Sequence, residues 1–174
     1  MAKWIIDPIH SEIGFKVKHL MISTVSGKFI GFEAEVETSS EDDFSGASVR
    51  FSADIDSITT GMEQRDSHLK SDDFFNAAQY PKLTFVSSAF QGKGDEFSLT
   101  GDLTIREVTK SITLDVEYTG LMKDFYGNLK AGFEVTGSIN RQDFGLKWSA
   151  TTEAGGIVVS DQVKLHLDIQ LQKV

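Results

Sequence analysis

The sequence has no cysteine. Disulfides, thiol nucleophiles and cysteine-based zinc sites are therefore excluded, while the compartment is left open. Positive charge is in deficit: 17 Lys and Arg stand against 26 Asp and Glu, a net charge of −9. A phosphate backbone demands a basic footprint, so nucleic acid is excluded as a partner. The same balance argues against anionic membrane surfaces and accounts for solubility. No run approaches the ~18–20 apolar residues of a membrane span, so stable membrane insertion is not expected. Polar aromatics are few, with 3 Tyr and 2 Trp against 13 Phe. A Phe-rich interior is greasy and poor in hydrogen-bonding groups.

Catalytic signatures are missing as well. There is no Gly-x-Gly-x-x-Gly, no phosphate loop, no Gly-x-Ser-x-Gly elbow and no His-Glu-x-x-His. The four histidines (His10, His19, His68, His166) form no short metal-ligand pair. No catalytic residue, cofactor or metal ligand is assigned on this basis. Asp7, His10 and Ser11 include the residue types of a hydrolytic triad, but three polar groups at a strand start more simply satisfy turn backbone. Adjacent carboxylates at Asp42 and Asp43, and at Asp72 and Asp73, suit solvated loops and caps, because neighbours on a strand point opposite ways.

What the chain does have is alternation. Ile13, Phe15, Val17 and His19 share one strand face, with Glu12, Lys16 and Lys18 on the other. Similar runs follow at 49–55, 97–105, 112–118, 129–139 and 163–171. Long amphipathic strands in series predict an all-β, antiparallel barrel or sandwich, with one face wet and one buried. At 174 residues the chain suits one domain over 1–174, able to bury about two thirds of its unfolded surface. Turns are expected at 39–46, 91–95, 126–128 and 154–156. Gly14, Gly27, Gly31, Gly101, Gly132 and Gly137 fall inside strand runs, where they predict bends or bulges.

Residues 61–80 break the alternation. Met62, Leu69, Phe74 and Phe75 there suit one short helix or two, with Ser71 or Asp72 capping the second and Pro81 ending it. This excursion is expected to lie against the sheet or over one barrel mouth. The strand phenylalanines either fill a core or line a cavity. An eight-stranded barrel admits both, and periodicity does not separate them.

Several segments together resemble the YceI-like family of lipocalin-like, polyisoprenoid-binding proteins. They are Trp4-Ile-Ile-Asp7-Pro8-Ile-His10-Ser11, then Phe15 to Leu20, and Val25-Ser-Gly27-Lys-Phe29. A central stretch, Asp66-Ser-His68-Leu69 to Phe74-Phe75 with Tyr80-Pro81 and Phe85, continues the match. Gly101-Asp-Leu103-Thr-Ile-Arg106 with Val108-Thr109-Lys110, Asn140-Arg141-Gln-Asp143-Phe144-Gly145 and Ser160-Asp161-Gln-Val163 complete it. The likeness spans essentially the whole chain, and six motifs in order are specific. One departure is Glu107, where the family block carries glycine.

The resemblance implies a closed antiparallel β-barrel of about eight strands with a helical segment beside it. It also implies an elongated apolar interior for a long-chain lipid such as a polyisoprenoid, an isoprenoid quinone or a fatty-acid-like chain, in transport, storage or sequestration. Parity assigns its wall to Phe15, Val17, Phe29, Phe51, Phe85, Leu103, Leu114, Phe133 and Val135, with Phe74 and Phe75 from the excursion. Polar contacts for a head group are expected from His10, Ser11, His19, His68 and Arg141. The rival reading is a lipid-modifying hydrolase or isomerase with His10 or His19 as base. Exposed strand edges and the resemblance leave room for a homodimer. Many relatives are exported; the N-terminus here lacks the apolar core of a signal peptide, so the chain as given is expected in the cytoplasm, or in the periplasm if a leader has been removed.

Overall fold

The alternating runs become antiparallel strands in a computed structural model that describes residues 1–149 and 159–174. In chain order these are β1 (Ala2–Ile6), β2 (Glu12–His19), β3 (Ser23–Phe29), β4 (Phe32–Thr38), β5 (Ser48–Asp54) and β6 (Ile58–Thr59). A helix, α1 (Glu63–Lys70), intervenes. Then come β7 (Lys82–Lys93), β8 (Glu96–Ile105), β9 (Val108–Lys123), β10 (Leu129–Asn140) and β11 (Val159–Lys173).

Pairing follows β1-β4-β5-β7-β8-β9-β10-β11 and returns, because β11 also pairs with β1. The sheet is thus a closed eight-stranded antiparallel barrel. The remaining short strands are continuations of barrel staves. β1 and β2 lie end to end along one edge of β11, with Trp4 opposite Lys173 and Ile13 opposite Leu167. Residues 7–11 bulge out between them. There the Asp7 N–H donates to the Gln170 carbonyl at 2.8 Å, and the Ser11 hydroxyl accepts from the Gln170 N–H at 2.9 Å. β3 and β4 form the next broken stave, interrupted at Ile30 and Gly31. β5 and β6 form the third, interrupted by a 3-10 turn at Ile55–Ser57. These two breaks touch: Asp54 N–H donates to Gly31 O at 2.8 Å and Ile30 N–H to Ser57 O at 3.3 Å. Local hydrogen bonds across the breaks let the wall bend without orphaning backbone groups.

Two bulges fall at or opposite strand glycines, whereas Gly14, Gly27 and Gly137 sit in unbroken register. The β9–β10 register shifts at Gly132 and Phe133, and β7 bulges between Ser87 and Ala89, opposite Gly101 and Thr100. Gly31 differs: it occupies the β3–β4 break rather than a strand interior. The 91–95 turn is also tighter than expected, since pairing runs to Lys93 and Glu96 and leaves Gly94 and Asp95 as the turn. The 154–156 turn lies outside the described residues.

One end of the barrel is plugged. Residues 39–47 fold Phe44 inward, and its ring meets Trp4 at 5.1 Å, Tyr118 at 5.5 Å and Phe133 at 5.0 Å. The Trp4 indole N–H donates to Thr38 Oγ1 at 3.1 Å, so its polar edge is satisfied despite full burial.

The 61–80 excursion covers the other end, and it holds one helix, not two. Ser71 closes α1, its N–H donating to the His68 carbonyl. Residues beyond it form consecutive turns. The reason is Arg106 at the β8–β9 turn. Its Nη1 donates to the carbonyls of Asp72 and Phe74, both at 3.0 Å, and Nη2 to Asp72 Oδ1 at 3.0 Å. Carbonyls held by a guanidinium are not offered to a second helix.

Candidate functional site

Strand parity aims one set of side chains into the barrel, and there the packing is incomplete. Leu165, Leu167 and Ile169 on β11 point inward, as do Phe15 and Val17 on β2 and Phe51 on β5, yet all remain half-buried. In a filled core such positions are fully buried. Here they border a cavity of about 420 Å³, within the usual range for small-molecule sites. Near the plug, inward residues such as Val36, Phe90, Leu99 and Val116 are fully buried. These residues border the same cavity, which runs from Phe44 at the plug to Phe74 and Phe75 at the helical end.

The structure places Phe15, Val17, His19, Phe29, Phe51, His68, Phe74, Phe75, Phe85, Leu103, Leu114, Phe133, Val135 and Arg141 around this one cavity. Two expected head-group residues are elsewhere. His10 lies outside the barrel, its Nδ1 2.7 Å from Asp7 Oδ2 and its side chain 61% exposed. Ser11 is consumed in bridging the β1–β2 break onto Gln170. Both belong to the bulge that joins two half-staves, so neither faces the interior.

Sequence reasoning passes over other members of the wall. Leu165, Leu167 and Ile169 are visible in the β11 alternation but are not singled out as wall residues. Trp148, Thr60 and Arg65 also line the cavity, and no periodic signal marks them.

Polar groups in the wall are largely engaged with one another. Thr60 Oγ1 donates to Asp66 Oδ1 at 2.6 Å and accepts from Arg65 Nε at 2.7 Å. His68 Nε2 lies 2.8 Å from Asp73 Oδ2, while its ring meets Trp148 edge-on at 4.8 Å. Arg141 is 3% exposed. Its Nε donates to the Ser160 carbonyl at 3.0 Å, and Nη1 to those of Leu146 and Trp148 at 2.6 and 2.7 Å. Nη2 faces the Val159 carbonyl at 3.4 Å and Asp161 at 3.5 Å. Burial pulls this guanidinium below its ordinary pKa, and Asp161 opposes the shift. Arg141 thus ties the 146–148 segment to the start of β11, which places Trp148 over the cavity. Among the described residues the His19 ring makes no hydrogen bond, so it is one polar contact the wall leaves available.

Metal-ligand types converge outside the barrel. Glu134, His166 and Asp168 bring one donor atom each within 4.8 Å of the others. His166 Nε2 sits 2.9 Å from Glu134 Oε1 on the solvent face, where a surface hydrogen bond accounts for the pair.

Comparison with known proteins agrees with this geometry. The UPF0312 protein SAS2572 of Staphylococcus aureus is 38% identical over 167 residues, covering 95% of each chain. The UPF0312 protein SERP2314 of Staphylococcus epidermidis is 38% identical over 169 residues. A Campylobacter jejuni YCEI protein superposes with a TM-score of 0.77 at 32% identity, over 89% of this chain and 88% of that one. A Saccharophagus degradans domain, described as polyisoprenoid-binding and implicated in plant cell wall breakdown, shares the fold with a TM-score of 0.72 at 16% identity, over 97% of each chain. Residues 4–171 match the YceI-like domain, and the chain belongs to that family.

Proposed function

We propose that this protein binds and shields a long-chain, weakly polar lipid (a polyisoprenoid, an isoprenoid quinone or a fatty-acid-like chain) and acts in its transport, storage or sequestration. The observation that carries this reading is the half-buried state of inward-facing Leu165, Leu167, Ile169, Phe15 and Phe51 around an interior void. The shared fold with a domain described as polyisoprenoid-binding supports it. Wall polar groups spent on one another favour holding a ligand over transforming it, with His19 as the head-group contact.

Affinity should come from carbon count. Each buried methylene contributes about 0.8 kcal/mol, against an association cost of about 4–15 kcal/mol. Short chains should bind weakly, and affinity should climb with length until the void is full. Titration with a polarity-sensitive dye, displaced by isoprenoid alcohols of increasing length, tests this. A rise followed by a plateau is expected. Absence of dye uptake, or affinity indifferent to length, would overturn the reading.

A further inference from the structure

The turn between β2 and β3 is strained and exposed at once. Leu20 and Met21 both hold positive φ, 53° and 59°, and Ile22 N–H donates to the His19 carbonyl at 3.2 Å. Two consecutive left-handed residues favour Asn and Gly, and leucine and methionine adopt that conformation only with strain. Burial offsets little of this at the tip, where Met21 is 61% exposed and Ile22 84%, with Leu20 at 39%. Strain kept at an exposed apolar apex points to a use outside the fold.

Position suggests the use. Val17, His19 and Val25, the inward residues of the two joined strands, line the cavity, so the apex stands on its rim. The outer face below carries Lys16, Lys18 and Lys28, with Lys164 on the adjoining β11, all exposed. Lys16 stands directly opposite Lys164, a like-charge pairing that weakens a sheet. Among the described residues none of these four lysines has an acidic partner within 4.0 Å. The nearby acid on β11, Asp161, is already engaged by Arg141 and Gln142. The net charge of −9 argues against anionic surfaces for the chain as a whole, yet four exposed lysines cluster beside this apolar apex, with the acids Glu12 and Asp168 further along the same outer face.

We infer that the Leu20-Met21-Ile22 apex and this lysine face form a docking surface for an anionic lipid bilayer. The apex enters the acyl boundary, the lysines meet head-group phosphates, and the cavity rim is brought to the lipid. The contact inferred is peripheral; among the described residues no helix is long and apolar enough to cross a membrane. The inference rests on the lipid-carrier reading for its purpose, though not for its test.

The test is sedimentation of the full chain with phosphatidylcholine vesicles, with and without phosphatidylglycerol. Wild-type protein should bind the anionic vesicles and release in high salt. Leu20→Asn/Met21→Gly installs the residues this turn favours, so Tm should hold or rise while vesicle binding falls roughly tenfold or more. Lys16→Gln/Lys164→Gln should remove the preference for phosphatidylglycerol. Phe125→Ser/Tyr126→Ser, on the exposed β9–β10 turn at the plugged end, should change nothing. Dye uptake measured without vesicles reads the cavity separately and should survive in every variant. No binding by wild type, or equal binding after Leu20→Asn/Met21→Gly, would overturn the docking surface even if dye uptake is normal. Vesicle binding with the expected losses would sustain it even if dye uptake failed.

Discussion

The tip of the Phe15 ring occupies the space over Gly27, its cross-strand partner; a Cβ at position 27 would stand 2.3 Å from Phe15 Cζ. The absent side chain is what lets Phe15 lie along the wall instead of across the void. Because the clash is with the far end of a side chain, Gly27→Ala should swing the ring inward rather than break the sheet. Expected outcomes are a stability loss of about 1–3 kcal/mol and weaker binding of long chains. Phe15→Leu in the same background should restore binding. Denaturant melts and chain-length titrations measure both.

Phe44 closes the plugged end, and its packing against Trp4, Tyr118 and Phe133 is dense. Phe44→Ala should cost about 3–5 kcal/mol and extend the void toward that end. The chain length at which affinity plateaus should then increase. Trp4 fluorescence should report the change, because its ring loses a neighbour.

Arg141 holds four backbone carbonyls and one carboxylate with one planar group. A lysine cannot reproduce that fork. Each abandoned buried carbonyl costs about 1–3 kcal/mol, so Arg141→Lys should lower Tm markedly and release Trp148 from the cavity rim. Calorimetry reads the first effect. Trp148 quenching by acrylamide, in a Trp4→Phe background, reads the second.

Acid should weaken the fold through Asp7. Burial raises its pKa, but hydrogen bonds from Lys130 at 2.8 Å, from His10 and from the Ile9 N–H prevail and hold it at about 2, below 3.8. The folded state therefore takes up this proton less readily than the unfolded chain. Its stabilisation is present above pH 3.8 and is lost as pH falls toward 2. The shift corresponds to about 2 kcal/mol, with Asp7 and Lys130 side chains 12% and 11% exposed. Asp7→Asn should lower stability at neutral pH and flatten the acid limb of a pH–Tm profile.

Parity made the wall legible. Phe15, Val17, Phe133 and Val135 face the cavity because a strand has only two faces, and alternation chooses between them. Phe44 was hidden in an acidic loop, where one apolar residue carries no period. His10 and Ser11 misled because they follow a strand whose continuation bulges, and a bulge erases parity. Arg141 read as a head-group contact because its partners are carbonyls, which every residue has and no sequence marks. Hollowness depended on summed side-chain volumes against barrel radius, and that balance exists only in three dimensions.

Native mass spectrometry of protein purified without detergent tests the central claim most directly. The account predicts an added lipid mass that solvent extraction removes, that returns on incubation with an isoprenoid lipid, and that is lost in Leu167→Trp, which fills the void. A bare-chain mass before and after incubation, in wild type as in Leu167→Trp, would contradict it.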